Sequence, residues 1–142
     1  MAPNLRFLTF YPSENAKSPV GITSEIMGPI CSMLSEGCLE TFHLNYGEFE
    51  PNVLGKLMLA IKDNITLTEL NLSGCVFHPR EVKAISDMLE SNTKLQRLNL
   101  SHVGCDPTDM ESILLSFSKN KSVEDLQIDN SNEKISCCFH QY

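Results

Sequence analysis

Nucleophilic catalysis needs a cysteine or serine with a base in hydrogen-bond reach. The residues that could supply such a pair are Cys75, Cys105, His43, His78 and His102. His78 and His102 fall at turns in neighbouring repeat units, each near one of these thiols, but no acidic third member or oxyanion loop accompanies them. The bland reading, turn histidines beside buried thiols, is therefore the stronger, and no enzymatic activity is expected. A second group, Cys137-Cys138-Phe139-His140, has the thiolate and imidazole chemistry that zinc favours. Adjacent cysteines cannot easily both point at one ion, and no second ligand pair stands at a finger-like distance. The tail is not a prenylation signal either, because Phe139 occupies the place fourth from the end where a cysteine is required. Neither metal nor cofactor is expected. With no CxxC in the chain, Cys31, Cys38, Cys75 and Cys105 read as small buried thiols of a reducing compartment.

What positions these residues is a repeat. The phrase Leu67-Thr-Glu-Leu70-Asn-Leu72-Ser returns 28 residues later as Leu95-Gln-Arg-Leu98-Asn-Leu100-Ser. The same step reaches Leu39-Glu-Thr-Phe42-His-Leu44 on one side and Val123-Glu-Asp-Leu126-Gln-Ile128 on the other. Between these LxxLxL phrases, Pro51, Pro79 and Pro107 form one column and Asn64, Asn92 and Asn120 another. The apolar sets Leu54/Val82/Met110, Leu57/Ile85/Ile113 and Ile61/Leu89/Phe117 align between them, at the i, i+3, i+7 spacing of one buried helical face.

Each column predicts local structure. LxxLxL is a short strand with its leucines inward and the intervening residues outward. Proline fits the first turn of a helix, where its missing N–H has no partner anyway, and Asp106-Pro107 is a good helix start. The asparagines are expected to end each helix in the left-handed conformation. The sequons Asn64-Ile-Thr66 and Asn120-Lys-Ser122 read as members of that column rather than as glycosylation sites.

A less regular copy, Leu5-Arg-Phe-Leu8-Thr-Phe10, precedes the array by 34 residues, the extra length falling in an inserted loop from Tyr11 to Val20. Its helix is predicted from about Ile22 to Leu34 with Thr23 as cap, kinked or shortened by Pro29. The chain thus divides into an irregular N-terminal repeat (1–38), regular 28-residue repeats (39–131) and a C-terminal tail (132–142), all in one domain.

Composition narrows the function classes. A formal charge of −7 with eleven scattered Lys and Arg disfavours nucleic acid, whose affinity rests on clustered cations, and disfavours a polybasic membrane contact. The apolar start is too short for a signal-peptide core, and no stretch has transmembrane length, so the cytosol or nucleus is the expected compartment.

With Leu67 to Cys75 written LxxLxLxxC and a helix filling each 28-residue period, residues 5 to 131 resemble ribonuclease-inhibitor-type leucine-rich repeats. The place after the strand reads Gly47, Cys75, Val103 and Ser131, so the usual Asn/Cys ladder is kept only at Cys75. The resemblance implies an α/β leucine-rich-repeat solenoid of four to five strand-helix units, with a parallel concave sheet and convex helices. It also implies protein binding on the concave side. Such repeats occur in inhibitors, NOD-like receptors, GTPase-activating proteins and tropomodulin-like actin caps.

The outward strand residues then form three columns on that face. The first is Phe7, Thr41, Glu69, Arg97 and Asp125; the second is Thr9, His43, Asn71, Asn99 and Gln127; the third is Tyr11, Asn45, Ser73, Ser101 and Asp129. Mixed charges, amides and hydroxyls suit a polar protein interface. Arg97 is the leading candidate for a dominant contact, with ion pairing to Glu69 or Asp125 as the competing reading. The expected function is a non-enzymatic adaptor, scaffold or inhibitor, the alternative a regulatory segment of a larger protein such as a NOD-like sensor or tropomodulin-like actin regulator. After Ile128 no full helix follows to cap the array. The remaining apolar residues fold over the open end, or a further repeat or a partner covers it.

Overall fold

The computed structural model describes residues 5–11, 19–130 and 135–140, the last six and Asn130 by their backbone alone. The LxxLxL phrases become strands β1 (Phe7–Phe10), β3 (Thr41–Leu44), β5 (Glu69–Asn71), β6 (Arg97–Asn99) and β7 (Asp125–Asn130). They pair in parallel in that order, and β8 (Ile135–His140) adds an antiparallel sixth strand beside β7. Between them β2 (Val20–Ile22) and β4 (Gly47–Phe49) make a small parallel sheet. Single bridges from Glu48 to Val76 and from Val76 to Gly104 carry that pairing onward. Helices α1 (Ser24–Ser35), α2 (Val53–Lys62), α3 (Pro79–Ser91) and α4 (Pro107–Lys119) pack side by side in chain order.

One apolar layer lies between sheet and helices. From the strands come Phe42, Leu70, Leu98 and Leu126, and from the helices Leu57, Ile85 and Ile113, all essentially sealed from solvent. Alternation is the cause: inward strand positions and the i, i+3, i+7 helical face meet in the same layer. At the N-terminal end, Leu8 and Phe10 are only partly covered, although the Phe10 ring meets Phe42 edge to face at 6.3 Å between centroids.

Several expectations change. Val20 is the first residue of β2 rather than the end of a loop, while 12–18 lie outside the described residues. Pro29 neither ends nor shortens α1, which runs twelve residues with Pro29 inside it. Pro79 and Pro107 open their helices as expected, whereas Pro51 precedes α2, whose cap Asn52 is left-handed. Asp106 caps α4 without a side-chain hydrogen bond.

The asparagine column is a larger correction. Asn92 and Asn120 have extended backbones, and Asn64 is not among the residues of positive φ. All three are buried. Each side chain links two units instead. Asn64 Nδ2 donates to the Leu34 carbonyl, Asn92 to Ile61 and Asn120 to Leu89, all at 2.7 Å. Each Oδ1 accepts the backbone N–H groups two and three residues on. One amide thereby adds a donor to a carbonyl in the last turn of the preceding unit's helix and satisfies two N–H groups entering a strand. The acceptor asparagines of the two sequons, Asn64 and Asn120, are thus buried with their amides committed.

Candidate protein-binding face

The outer face of the sheet, opposite the helices, is set by strand register. Phe7, Thr41, Glu69, Arg97 and Asp125 stand opposite one another across adjacent strands, and so do Thr9, His43, Asn71, Asn99 and Gln127. The third column is less regular. Asp129 lies in β7, while Asn45, Ser73 and Ser101 fall just past their strands and are joined by staggered backbone bonds, Tyr46 N–H to Ser73 and Gly74 N–H to Ser101. Tyr11 follows β1 and is exposed.

Glu69 organises the centre. One carboxylate oxygen lies 2.8 Å from His43 Nε2 and the other accepts from the Arg97 guanidinium at 2.7 Å. Side chains of three successive strands are tied through one group. Burial alone would push the Glu69 carboxyl up; the hydrogen bond with His43 and the charge and hydrogen bond of Arg97 outweigh it and hold the group below the usual range. Of the two acidic neighbours expected for Arg97, it pairs with Glu69.

The amides on this face divide their work. Asn71 Oδ1 accepts the Ser73 N–H and Asn99 Oδ1 the Ser101 N–H, each at 2.9 Å, so both turn the chain at a strand end. Asn99 Nδ2 also donates to Gln127 Oε1 at 3.0 Å. Asn45 Oδ1 and Asp125 Oδ1 are covered yet have no hydrogen-bond partner among the described residues. Thr41 is only 7% exposed, so it offers little surface of its own. A shallow hollow of about 60 Å³ is lined by Glu69, Asn71, Arg97, Asn99, Asp125 and Gln127.

The nucleophile candidates are placed unfavourably for catalysis. Cys75 is buried, its Sγ donates to the Leu44 carbonyl at 3.2 Å, and burial pushes its thiol up to about 12. Cys105 is pushed up to about 11 by burial and then by Asp109 and Asp106. Raised thiols are poor nucleophiles at neutral pH. His78 lies 3.8 Å from Glu48, and its backbone N–H donates to Glu81 at the start of α3. His102 occupies a left-handed turn. Among the described residues no group of three or more His, Cys, Asp or Glu is placed to hold a metal. The side chains of Cys137, Cys138 and His140 lie outside the described residues.

Two features escaped the sequence. The asparagine bridges leave a signal only in their 28-residue spacing, which a left-handed cap would produce equally well. The second is a groove on the helix side between α2 and α3, about 610 Å³ in volume. Its only trace in the sequence is Gly55 inside an otherwise strong helical pattern. Among the described residues, no helix is long and apolar enough to cross a membrane.

No family model and no curated protein sequence matches the chain. Solved structures do. The chain is similar to leiomodin-1 actin-binding site 2, with a TM-score of 0.72 at 20% identity over 91% of this chain and 73% of that one. It is also similar to a tropomodulin C-terminal domain from Caenorhabditis elegans, with a TM-score of 0.63 at 16% identity over 77% of this chain and 67% of that one. At such identities the likeness is one of fold, and the chain has the α/β, leucine-rich-repeat type of architecture that it shares with these two domains.

Proposed function

We propose that the chain is a non-enzymatic protein-binding module that engages its partner through the outer, concave face of the sheet. The observation that carries this reading is the cross-strand tie of Glu69 to both His43 and Arg97. Binding loses free energy when mobile side chains must be ordered, and residues already held by neighbours lose less. Arg97 uses one nitrogen on Glu69 and remains largely exposed, which leaves further guanidinium donors to meet carbonyl or carboxylate groups. The contact set is Thr41, His43, Asn45, Glu69, Asn71, Ser73, Arg97, Asn99, Ser101, Asp125, Gln127 and Asp129. The repeats are read as ribonuclease-inhibitor-type, regular over 39–131 with an irregular unit at 1–38 and a tail at 132–142, in a cytoplasmic or nuclear protein.

A second reading, a regulatory segment acting on actin in the manner of tropomodulin-like proteins, is favoured by one observation: the similarity to a domain described as an actin-binding site. One experiment addresses both. The chain and its folded triple variant Asn71→Ala, Arg97→Ala, Asp125→Ala are compared in affinity capture from lysate and in co-sedimentation with purified actin filaments. A protein captured by the parent and lost by the variant supports the concave-face reading, and co-sedimentation supports the actin reading. A captured protein indifferent to all three substitutions sinks the first, and absence from the actin pellet sinks the second.

A further inference from the structure

We infer that the groove between α2 and α3 is a second docking site, on the opposite side of the molecule from the sheet face, and that its occupant is an acidic amphipathic helix of a partner protein. Three observations converge. The first is charge. The protein as a whole carries −7, yet four of its eleven basic residues, Lys56, Lys62, Arg80 and Lys83, line this one groove. Asp87 and Glu90 also line it, and two of the four cations are already paired, Lys83 with Asp87 and Arg80 with Glu81, while Glu90 is held by Lys119. Lys56 and Lys62 form no ion pair among the described residues. A concentration of cations on an acidic protein selects an anionic partner.

The second observation is apolar surface. Leu59 projects from α2 into the groove, 67% exposed, amid Lys56 and Lys62 on the same helix. An occupant therefore needs an apolar stripe flanked by carboxylates, the pattern of an amphipathic helix laid into a helical groove. The groove runs between helices of ten and thirteen residues, so it is long enough to seat about three to four turns.

The third is Gly55. It sits inside α2, where glycine weakens a helix relative to alanine. Its backbone is not left-handed, and a Cβ placed there would meet no atom within 4 Å. Nothing in the fold requires the glycine; its missing side chain leaves the groove open.

The test uses the full chain and a fluorescent peptide of about fourteen residues, four helical turns, with Leu on one face and Glu flanking it, beside a matched peptide with Lys for Glu. The acidic peptide is expected to bind, and the basic one at least about tenfold more weakly. Gly55→Leu, which fills the groove and improves the helix, should weaken the acidic peptide by about tenfold or more without lowering Tm. Lys56→Glu with Lys62→Glu should do the same, whereas Arg97→Ala on the sheet face should leave binding unchanged. No binding of the acidic peptide, equal binding of both peptides, or indifference to Gly55→Leu overturns the proposal. So does self-association of the parent that Gly55→Leu abolishes, which would make a second copy the occupant. Because Arg97→Ala probes the other face, failure here and failure of the concave-face reading are separable.

Discussion

The side-chain amide of Asn92 reaches back 31 residues to the carbonyl of Ile61, at 2.7 Å, while its own oxygen receives the N–H of Leu95, also at 2.7 Å. The interaction recurs one unit earlier at Asn64 and one unit later at Asn120. Each unit end is thus closed by the next unit. In a repeat array, where contacts are otherwise nearest-neighbour packing, such bridges couple one unit's folding to the next.

Asn92→Ala is expected to destabilise strongly, because the Lys94 and Leu95 N–H groups would lose their acceptor and the Ile61 carbonyl, which also accepts the Asn64 N–H, would lose one of its donors. Each group left unpaired there costs about 1–3 kcal/mol. Asn92→Gly should be at least as damaging, although glycine would be tolerated if the residue served as a left-handed cap. Urea unfolding of the two variants decides the matter: a near-neutral glycine variant would refute the bridging role.

Leu98 and Asn99 are adjacent in sequence and opposed in structure. Leu98 is sealed in the core, while Asn99 is half-buried on the outer face, its amide holding the Ser101 N–H and Gln127. Leu98→Ala should lower stability by about 2–5 kcal/mol, and Asn99→Ala by about 0.5–1.5 kcal/mol, the value of an ordinary hydrogen bond. Chemical denaturation giving equal losses would contradict the register.

Register, core and helical faces were legible because they rest on local periodicity. The inward positions of the four regular LxxLxL phrases, from Leu39 to Ile128, and the columns Leu57/Ile85/Ile113 and Ile61/Leu89/Phe117 repeat at a spacing that only one strand-helix unit satisfies, and all are buried. What did not follow were choices between two physical uses of one residue type. Asparagine at a unit end serves equally as a left-handed cap or as a bridging amide, and only the three-dimensional closeness of residues about 30 apart, here Ile61 and Asn92, distinguishes them. Pro29 illustrates the reverse case: a helix breaker by propensity is carried in α1, where Met27, Ile30 and Leu34 are buried and tertiary packing dominates. On the outer face, the columns were readable from period two, while the pairing of Glu69 with both neighbours required rotamers that no pattern specifies.

Cys75 supplies a prediction at alkaline pH. Its folded thiol is pushed up to about 12 from the ordinary value of 9.0, mainly by burial. Between these values the unfolded chain has lost the proton that the folded chain retains, so unfolding releases it and stability falls as pH rises from about 9 towards 12. Cys75→Ser or Cys75→Ala should flatten that decline whatever it does to stability at neutral pH. An unchanged slope in unfolding free energy over this range would argue against the buried thiol as its source.

Glu69 supplies the complementary prediction on the acid side. Burial opposes ionisation of its carboxyl, but the hydrogen bond with His43 and the charge and hydrogen bond of Arg97 prevail and hold it below the ordinary carboxylate range. A depressed carboxyl contributes stability that is present above the unfolded value and lost as pH falls through the folded one. Removing Arg97 leaves burial opposed by His43 alone, so Arg97→Ala should move the Glu69 titration upward, and His43→Ala should move it in the same direction. Carboxyl-carbon NMR read against pH follows Glu69 directly. Because the three side chains share one carboxylate, the double variant should shift Glu69 by more than either single change. A titration unmoved by both single substitutions would mean that the cross-strand tie does not persist in solution, and with it would go the pre-ordered surface on which the concave-face reading depends.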